Sequence, residues 1–136
     1  MMKMPILLLI AQLLLAGPAL AKDQETQDAA GGQKVVKEYY ETGIIKVIKR
    51  YDSNGKLIGV LHHDSNGVAL YADMYDGDKL AGKIYYYPNG NPRLTEHYDM
   101  NGVTRLTEEF DTNNKLLSTK TYDANGKLLK EEKSSR

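Results

Sequence analysis

From Val35 onward the chain alternates short apolar runs with polar residues, and turn residues break the runs at even intervals. Period-2 runs bounded by Gly, Asn and Asp predict strands joined by hairpins. An aromatic residue or a His stands just before each turn: Tyr39, Tyr51, His63, Tyr75, Tyr86, Tyr98, Phe110 and Tyr122. Successive members of this series lie 12 residues apart, except for one gap of 11 between Tyr75 and Tyr86. Four positions after the anchor comes a glycine in six units: Gly43, Gly55, Gly67, Gly90, Gly102 and Gly126. Asn114 takes that place after Phe110, and the shorter turn Asp76-Gly77-Asp78 accounts for the gap of 11. Self-similarity at a fixed period is the mark of a repeat array.

One unit, Tyr51-Asp52-Ser53-Asn54-Gly55-Lys56-Leu57, shows why the pattern repeats. Asp sits where a type I turn favours a side-chain cap, and Gly or Asn sits where the backbone needs positive φ. A type I turn followed by a left-handed residue is a common hairpin loop with a bulge. In this register Tyr51 faces Leu57, Phe110 faces Leu116 and Tyr122 faces Leu128. The expected fold is an all-β antiparallel up-and-down meander of about nine strands and eight turns, a single sheet of 12-residue hairpin repeats from Val35 to about Glu131. Strict alternation would put all the anchors on one face, with the apolar Val47, Leu61, Ile84, Leu94 and Leu106 and the charged Lys49, Asp73, Glu96, Glu108 and Lys120 beside them. The other face would be apolar early (Ile44, Ile48, Ile58, Val60, Val68, Leu70, Ala72, Met74) and polar late (Arg93, Thr95, His97, Arg105, Thr107, Glu109, Thr119, Thr121). No helix covers the sheet in this reading, so it must curl, fold over or meet a partner.

Composition adds the ends. Residues 1–21 have the parts of a signal peptide: Lys3 in a basic start, an apolar run from Pro5 to Leu15, and Ala19-Leu20-Ala21 as a cleavage site. The expectation is cleavage after Ala21 and a periplasmic or secreted chain with no membrane insertion afterwards. Residues 22–34 read as a flexible linker, 35–131 as the hairpin-repeat domain and 132–136 as a polar tail. Removing residues 1–21 takes away Lys3 and leaves 17 basic against 18 acidic residues, which excludes the basic footprint of nucleic-acid binding. The chain has no Cys, which excludes disulfide staples, thiol catalysis and Cys-based zinc sites.

The stretches YYYPNGNPRL (Tyr85 to Leu94), GKLIGV (Gly55 to Val60) and KLAGKIYYYPNG (Lys79 to Gly90), with the YDxNG units at Tyr51, Tyr98 and Tyr122, resemble the MORN-repeat variants. Among these the chain is most similar to bacterial proteins described as antitoxin components, and its YD units look like YD repeats. The resemblance implies that two strands, about 23 residues, make one repeat, with Gly59 and Gly82 as the second glycine. It also implies a protein-interaction scaffold. MORN repeats proper favour Trp, which is absent.

Little catalytic chemistry is legible. His62 and His63 are neighbours on a strand and point to opposite faces, so they cannot share a metal. His97 falls among Thr and Arg as a solvated residue. Glu96 and Glu108, on one face by alternation, could in principle serve as paired carboxylates, but a meander supplies no cleft for them. The sequence therefore predicts no enzyme, cofactor or metal. It predicts a scaffold for another protein, docked on a sheet face or at the N-terminal edge near Val35 and Val36, where strand addition is open. The alternative is a cell-wall glycan or other carbohydrate bound by exposed tyrosines. Tyr85 and Tyr87, flanking the anchor Tyr86, are the expected exposed pair for either partner.

Overall fold

The computed structural model describes residues 24–27 and 32–135. The leader and its cleavage point lie outside the described residues, as does much of the linker. The strands are β1 (Gln24–Gln27), β2 (Lys34–Tyr39), β3 (Ile45–Tyr51), β4 (Leu57–His63), β5 (Ala69–Asp76), β6 (Lys79–Tyr86), β7 (Pro92–Tyr98), β8 (Thr104–Phe110), β9 (Leu116–Tyr122) and β10 (Leu128–Lys133). They form one sheet in sequence order, with β1 and β10 at opposite ends, so the meander is open. The nine expected strands are β2 to β10. The tenth, β1, falls in the stretch read as a linker and pairs antiparallel with β2.

Each turn is built by its own residues. Gly55 N–H donates to Asp52 O at 3.0 Å, and Asp52 N–H donates to Lys56 O at 2.8 Å. The Asp52 carboxylate accepts from Asn54 N–H and Lys56 N–H, both at 2.9 Å. Asp64, Asp99, Asp111 and Asp123 cap their turns in the same way. Asn114 has a φ of 65°, which confirms it as the stand-in for glycine at the left-handed position.

The register carries a feature that alternation alone misses. Tyr51 pairs with Leu57, as expected, but Arg50 pairs with Gly59, so Ile58 is skipped. Every hairpin from β2–β3 to β9–β10 skips one residue at the same place in its second strand: Lys46, Ile58, Leu70, Ala81, Arg93, Arg105, Leu117 and Leu129. A bulge of this kind sets two residues against one and shifts everything beyond it to the other face. Leu57 thus shares a face with Tyr51, while His63 lies on the opposite one. The single anchor stripe expected from sequence is therefore two half-stripes. Tyr51, Tyr75, Tyr98 and Tyr122 line what we term the tyrosine face. Tyr39, His63, Tyr86 and Phe110 lie on the other, the aliphatic face. Anchors on one face recur every 23 or 24 residues, and two hairpin strands make one repeat.

Each face consists of columns that cross the strands. On the tyrosine face run Val47–His62–Tyr71–Tyr85–Leu94–Glu109–Ser118 and Lys49–Val60–Asp73–Lys83–Glu96–Thr107–Lys120. On the aliphatic face run Ile48–Leu61–Ala72–Ile84–Thr95–Glu108–Thr119 and Arg50–Gly59–Met74–Gly82–His97–Leu106–Thr121. The most buried side chains among the described residues, Val47, Val60, Thr107 and Ser118, all belong to the tyrosine face. Among the described residues there is one layer and no second sheet or helix over it, so their fold rests on cross-strand pairs. Each contributes roughly 0.2–1 kcal/mol.

Candidate functional site

The tyrosine face packs its rings against its own charged side chains. His62 and Tyr71 stack with ring centroids 4.4 Å apart, and Tyr71 meets Tyr85 at 6.3 Å. Lys83 Nζ lies 4.8 Å from the Tyr71 centroid and 5.9 Å from that of Tyr85, and the Arg93 guanidinium lies 5.8 Å from Tyr85. Tyr71 is thus covered by His62 from one neighbouring strand and Lys83 from the other, while Tyr85 lies between Lys83 and Arg93. Lys34 sits over Tyr51 and Lys46 over Tyr40 in the same manner. Cation–π contacts of weight occur about once per 70–80 residues in proteins. Five in this short sheet show that its lysines and arginines are used to cover rings.

Beside the rings runs a charge ladder. His62 Nε2 is 3.3 Å from Asp73 Oδ2, and Lys83 Nζ is 3.5 Å from Asp73 Oδ1. Burial disfavours the Lys83 ammonium, but the Asp73 carboxylate together with Tyr85 and Tyr71 outweighs it and holds the pKa above the ordinary lysine value. Tyr98 donates its hydroxyl to Glu96, and burial together with that bond pushes the phenol pKa up. Lys49 pairs with Glu38 on the same face.

The four residues expected at a docking site separate. Tyr85 is half-buried within the ring ladder. Tyr87, two residues on, is half-buried at the sheet's margin, where its hydroxyl donates to Phe110 O at 2.8 Å. Both are anchored by the protein's own groups. Val35 and Val36 do not form the sheet edge, because Thr26 pairs with Val35 and Glu25 with Val36. The expectation of an open edge there is corrected: β1 occupies it.

The carboxylate pair is also corrected. Glu96 aligns with Thr107, and Glu108 with Thr95, so the skipped residue of the β7–β8 hairpin sends the two glutamates to opposite faces. His62 and His63 likewise lie on opposite faces, in agreement with strand alternation. His97 is half exposed and 3.5 Å from Glu108. Among the described residues no group of His, Cys, Asp and Glu is arranged to hold a metal ion.

The aliphatic face differs. Across β3–β6 its central column is Ile48, Leu61, Ala72 and Ile84. Beside it lies a shallow groove of about 240 Å3 lined by Ile48, Arg50, Gly59, Leu61, Ala72, Met74 and Tyr86, among others. Gly59 keeps its floor low, and Gly82 packs tightly beside it. A Cβ on Gly82 would come 2.6 Å from Glu96 O and 2.8 Å from Met74 Cε, so glycine is required for the close packing there. Arg50 is exposed and makes no ion pair among the described residues. Burial raises the pKa of the Tyr86 phenol at the groove's rim.

One functional element escaped the sequence reading. Tyr40 and Tyr87 stand where the other full-length turns carry Asp. Their hydroxyls reach 23 residues ahead, Tyr40 to His63 O and Tyr87 to Phe110 O, each at 2.8 Å. They tie each hairpin to the next one on the same margin. The doublets Tyr39-Tyr40 and Tyr86-Tyr87 were the available signal.

Comparison with known proteins places this geometry. Residues 33–51, 82–100 and 118–133 match the family described as MORN repeat variant. No curated protein sequence matches the chain significantly. Among solved structures, the fold is similar to part of a mutant TarM of S. aureus, crystallised in complex with fondaparinux, alpha-GlcNAc-glycerol and UDP. The TM-score is 0.56 at 10% identity, over 91% of this chain and 22% of that one. The Glycosylation Associate Protein (Gap123) complex from Streptococcus agalactiae is also similar, with a TM-score of 0.51 at 15% identity over 73% of this chain and 18% of that one. The chain thus spans about a fifth of each of these proteins, and at these identities the likeness concerns the sheet alone.

Proposed function

We propose that this chain, three segments of which match the MORN repeat variant, is an exported, non-enzymatic repeat scaffold that binds another protein on the aliphatic face of β3–β6. One observation carries the reading. The tyrosine face covers its own rings and pairs its own charges, whereas Ile48, Leu61, Ala72 and Ile84 form a half-exposed apolar column over which no other element of the described residues packs. Apolar surface left open in this way favours association by removing it from water. Binding through the N-terminal edge is less favoured, since β1 already pairs there. The sugar-binding reading, which needs open ring faces, is not favoured by Tyr71 or Tyr85, whose faces are taken by His62, Lys83 and Arg93.

The test is a tagged chain expressed in its own cells with a photo-crosslinker in place of Ala72. A discrete protein adduct that disappears with Leu61→Asp, while Tyr85→Ala retains it, is the expected result. Retention of the chain on isolated cell wall, with no protein adduct from Ala72, would replace this reading with the glycan one.

A further inference from the structure

We infer that the occupant of the aliphatic column is a short amphipathic helix lying across the strands, its C-terminal end toward β2–β3. This rests on the docking reading above and names the partner's chemistry. The direction follows from the pattern of apolar positions. Across the strands, four consecutive positions of one column are apolar: Ile48, Leu61, Ala72 and Ile84. Along β4, by contrast, the same face offers Leu61 between Gly59 and His63. The apolar path therefore crosses the strands. Strands lie roughly 4.8 Å apart, and a helix rises 5.4 Å per turn. Side chains at i, i+3 or i+4, and i+7 would then meet successive rungs, and the low floor at Gly59 admits the larger of them.

The ends of the column fix its length. Lys37 precedes Ile48, and Thr95 follows Ile84. Three strand spacings are about 14 Å, which is about ten helical residues. A second copy of this chain does not suit the site. A column only four side chains long is far smaller than the ~800 Å2 that each partner of a stable dimer buries, whereas its length suits about ten residues of one helix.

Charge orients the helix. Lys37 and the exposed Arg50 stand at one end, and Glu108 stands beyond the other. A helix carries partial negative charge at its C-terminus and positive at its N-terminus. Its C-terminal turn, with any carboxylates it bears, therefore belongs at Lys37 and Arg50, and its N-terminus toward Glu108.

The experiment uses the whole chain from Lys22, isotopically labelled, and three 12-residue peptides of one composition. The first has Leu at positions 2, 5 and 9 with Glu in its last turn. The second alternates Leu with polar residues, and the third is scrambled. The helical peptide is expected to shift the amide signals around Leu61, Ala72 and Ile84. It should bind at least tenfold more tightly than the scrambled one and lose about tenfold with Leu61→Asp. Arg50→Glu, an exposed change that spares the fold, should weaken it severalfold, and moving the Glu residues to the first turn should do the same. Equal binding of all three peptides, shifts on the tyrosine face, or no binding would overturn the inference. Tighter binding of the alternating peptide at Leu61 would overturn the helix and leave the docking face standing.

Discussion

The two faces of this sheet are made by neighbouring residues of the same strands, yet they serve different ends. Tyr85 stands between Lys83 and Arg93, whereas Ile84, one residue earlier, belongs to a half-exposed apolar column. Asp73 is paired on two sides, whereas Ala72 belongs to the open column. The difference arises from a single skipped residue per hairpin, which moves each strand's second half to the opposite face. The lesson is that a single-layer repeat sheet can keep one face for its own cohesion and leave the other for binding. It needs no second layer to do so, provided the polar and aromatic groups are gathered on the first.

Four substitutions would break or sharpen this contrast. The largest effect is expected from Gly82→Val. Its Cβ meets backbone at 2.6 Å, so β6 and β7 must move apart. The expected cost is about 1–3 kcal/mol, seen as a lower midpoint in urea unfolding. Gly59→Ala is the control, since its nearest neighbour, Asp73 O, is 3.5 Å away. Next is Asp73→Ala, which strips both His62 and Lys83 of their carboxylate. A loss of about 1–3 kcal/mol is expected from the unpaired groups, with docking on the aliphatic face unchanged. Ile84→Asp should do the reverse and remove docking while the unfolding midpoint moves less than for Asp73→Ala. Tyr87→Phe removes the tie to Phe110 O and should cost about 0.5–1.5 kcal/mol, read as faster amide exchange at the margin of β6–β8.

The smallest effect concerns pH. The N–H groups of Val103 and Asn101 and the Arg105 guanidinium hold the Asp99 pKa below its ordinary value, against a smaller opposing effect of burial. A depressed carboxylate pKa stabilises the fold at pH values above the unfolded-state pKa, and that contribution is lost as pH falls through the folded-state value. Asp99→Asn should therefore lower the unfolding midpoint slightly at pH 7, and the gap from the parent should close below about pH 4.

Much of the fold was legible because each unit carries its own instructions. Asp at the turn's start, Gly or Asn at the left-handed position and an apolar partner six residues from the anchor locate turn, strand and register together. The sorting of residues between faces was not legible. Lys46, Ile58, Leu70, Ala81, Arg93, Arg105, Leu117 and Leu129 occupy the skipped position and share no chemistry, so no residue type marks it. That is why Glu96 and Glu108 were read onto one face. Strand β1 was hidden for a different reason. Gln24–Gln27 has no apolar alternation, and its strand form comes from pairing with β2. Of the expected site residues, Tyr85 and Tyr87 are expected to be exposed, whereas the sheet half-buries both. Their role came from partners 8 and 23 residues away, Arg93 and Phe110, which only the folded sheet brings near.

The most direct test of the contrast uses two adjacent positions. A photo-crosslinker is placed at Ile84 in one chain and at Tyr85 in another, and each is irradiated in cells that make the protein at its natural level. The account predicts a strong adduct with one protein from position 84 and little or none from position 85. Equal adducts from both positions, or an adduct from position 85 alone, would contradict the division of labour between the two faces.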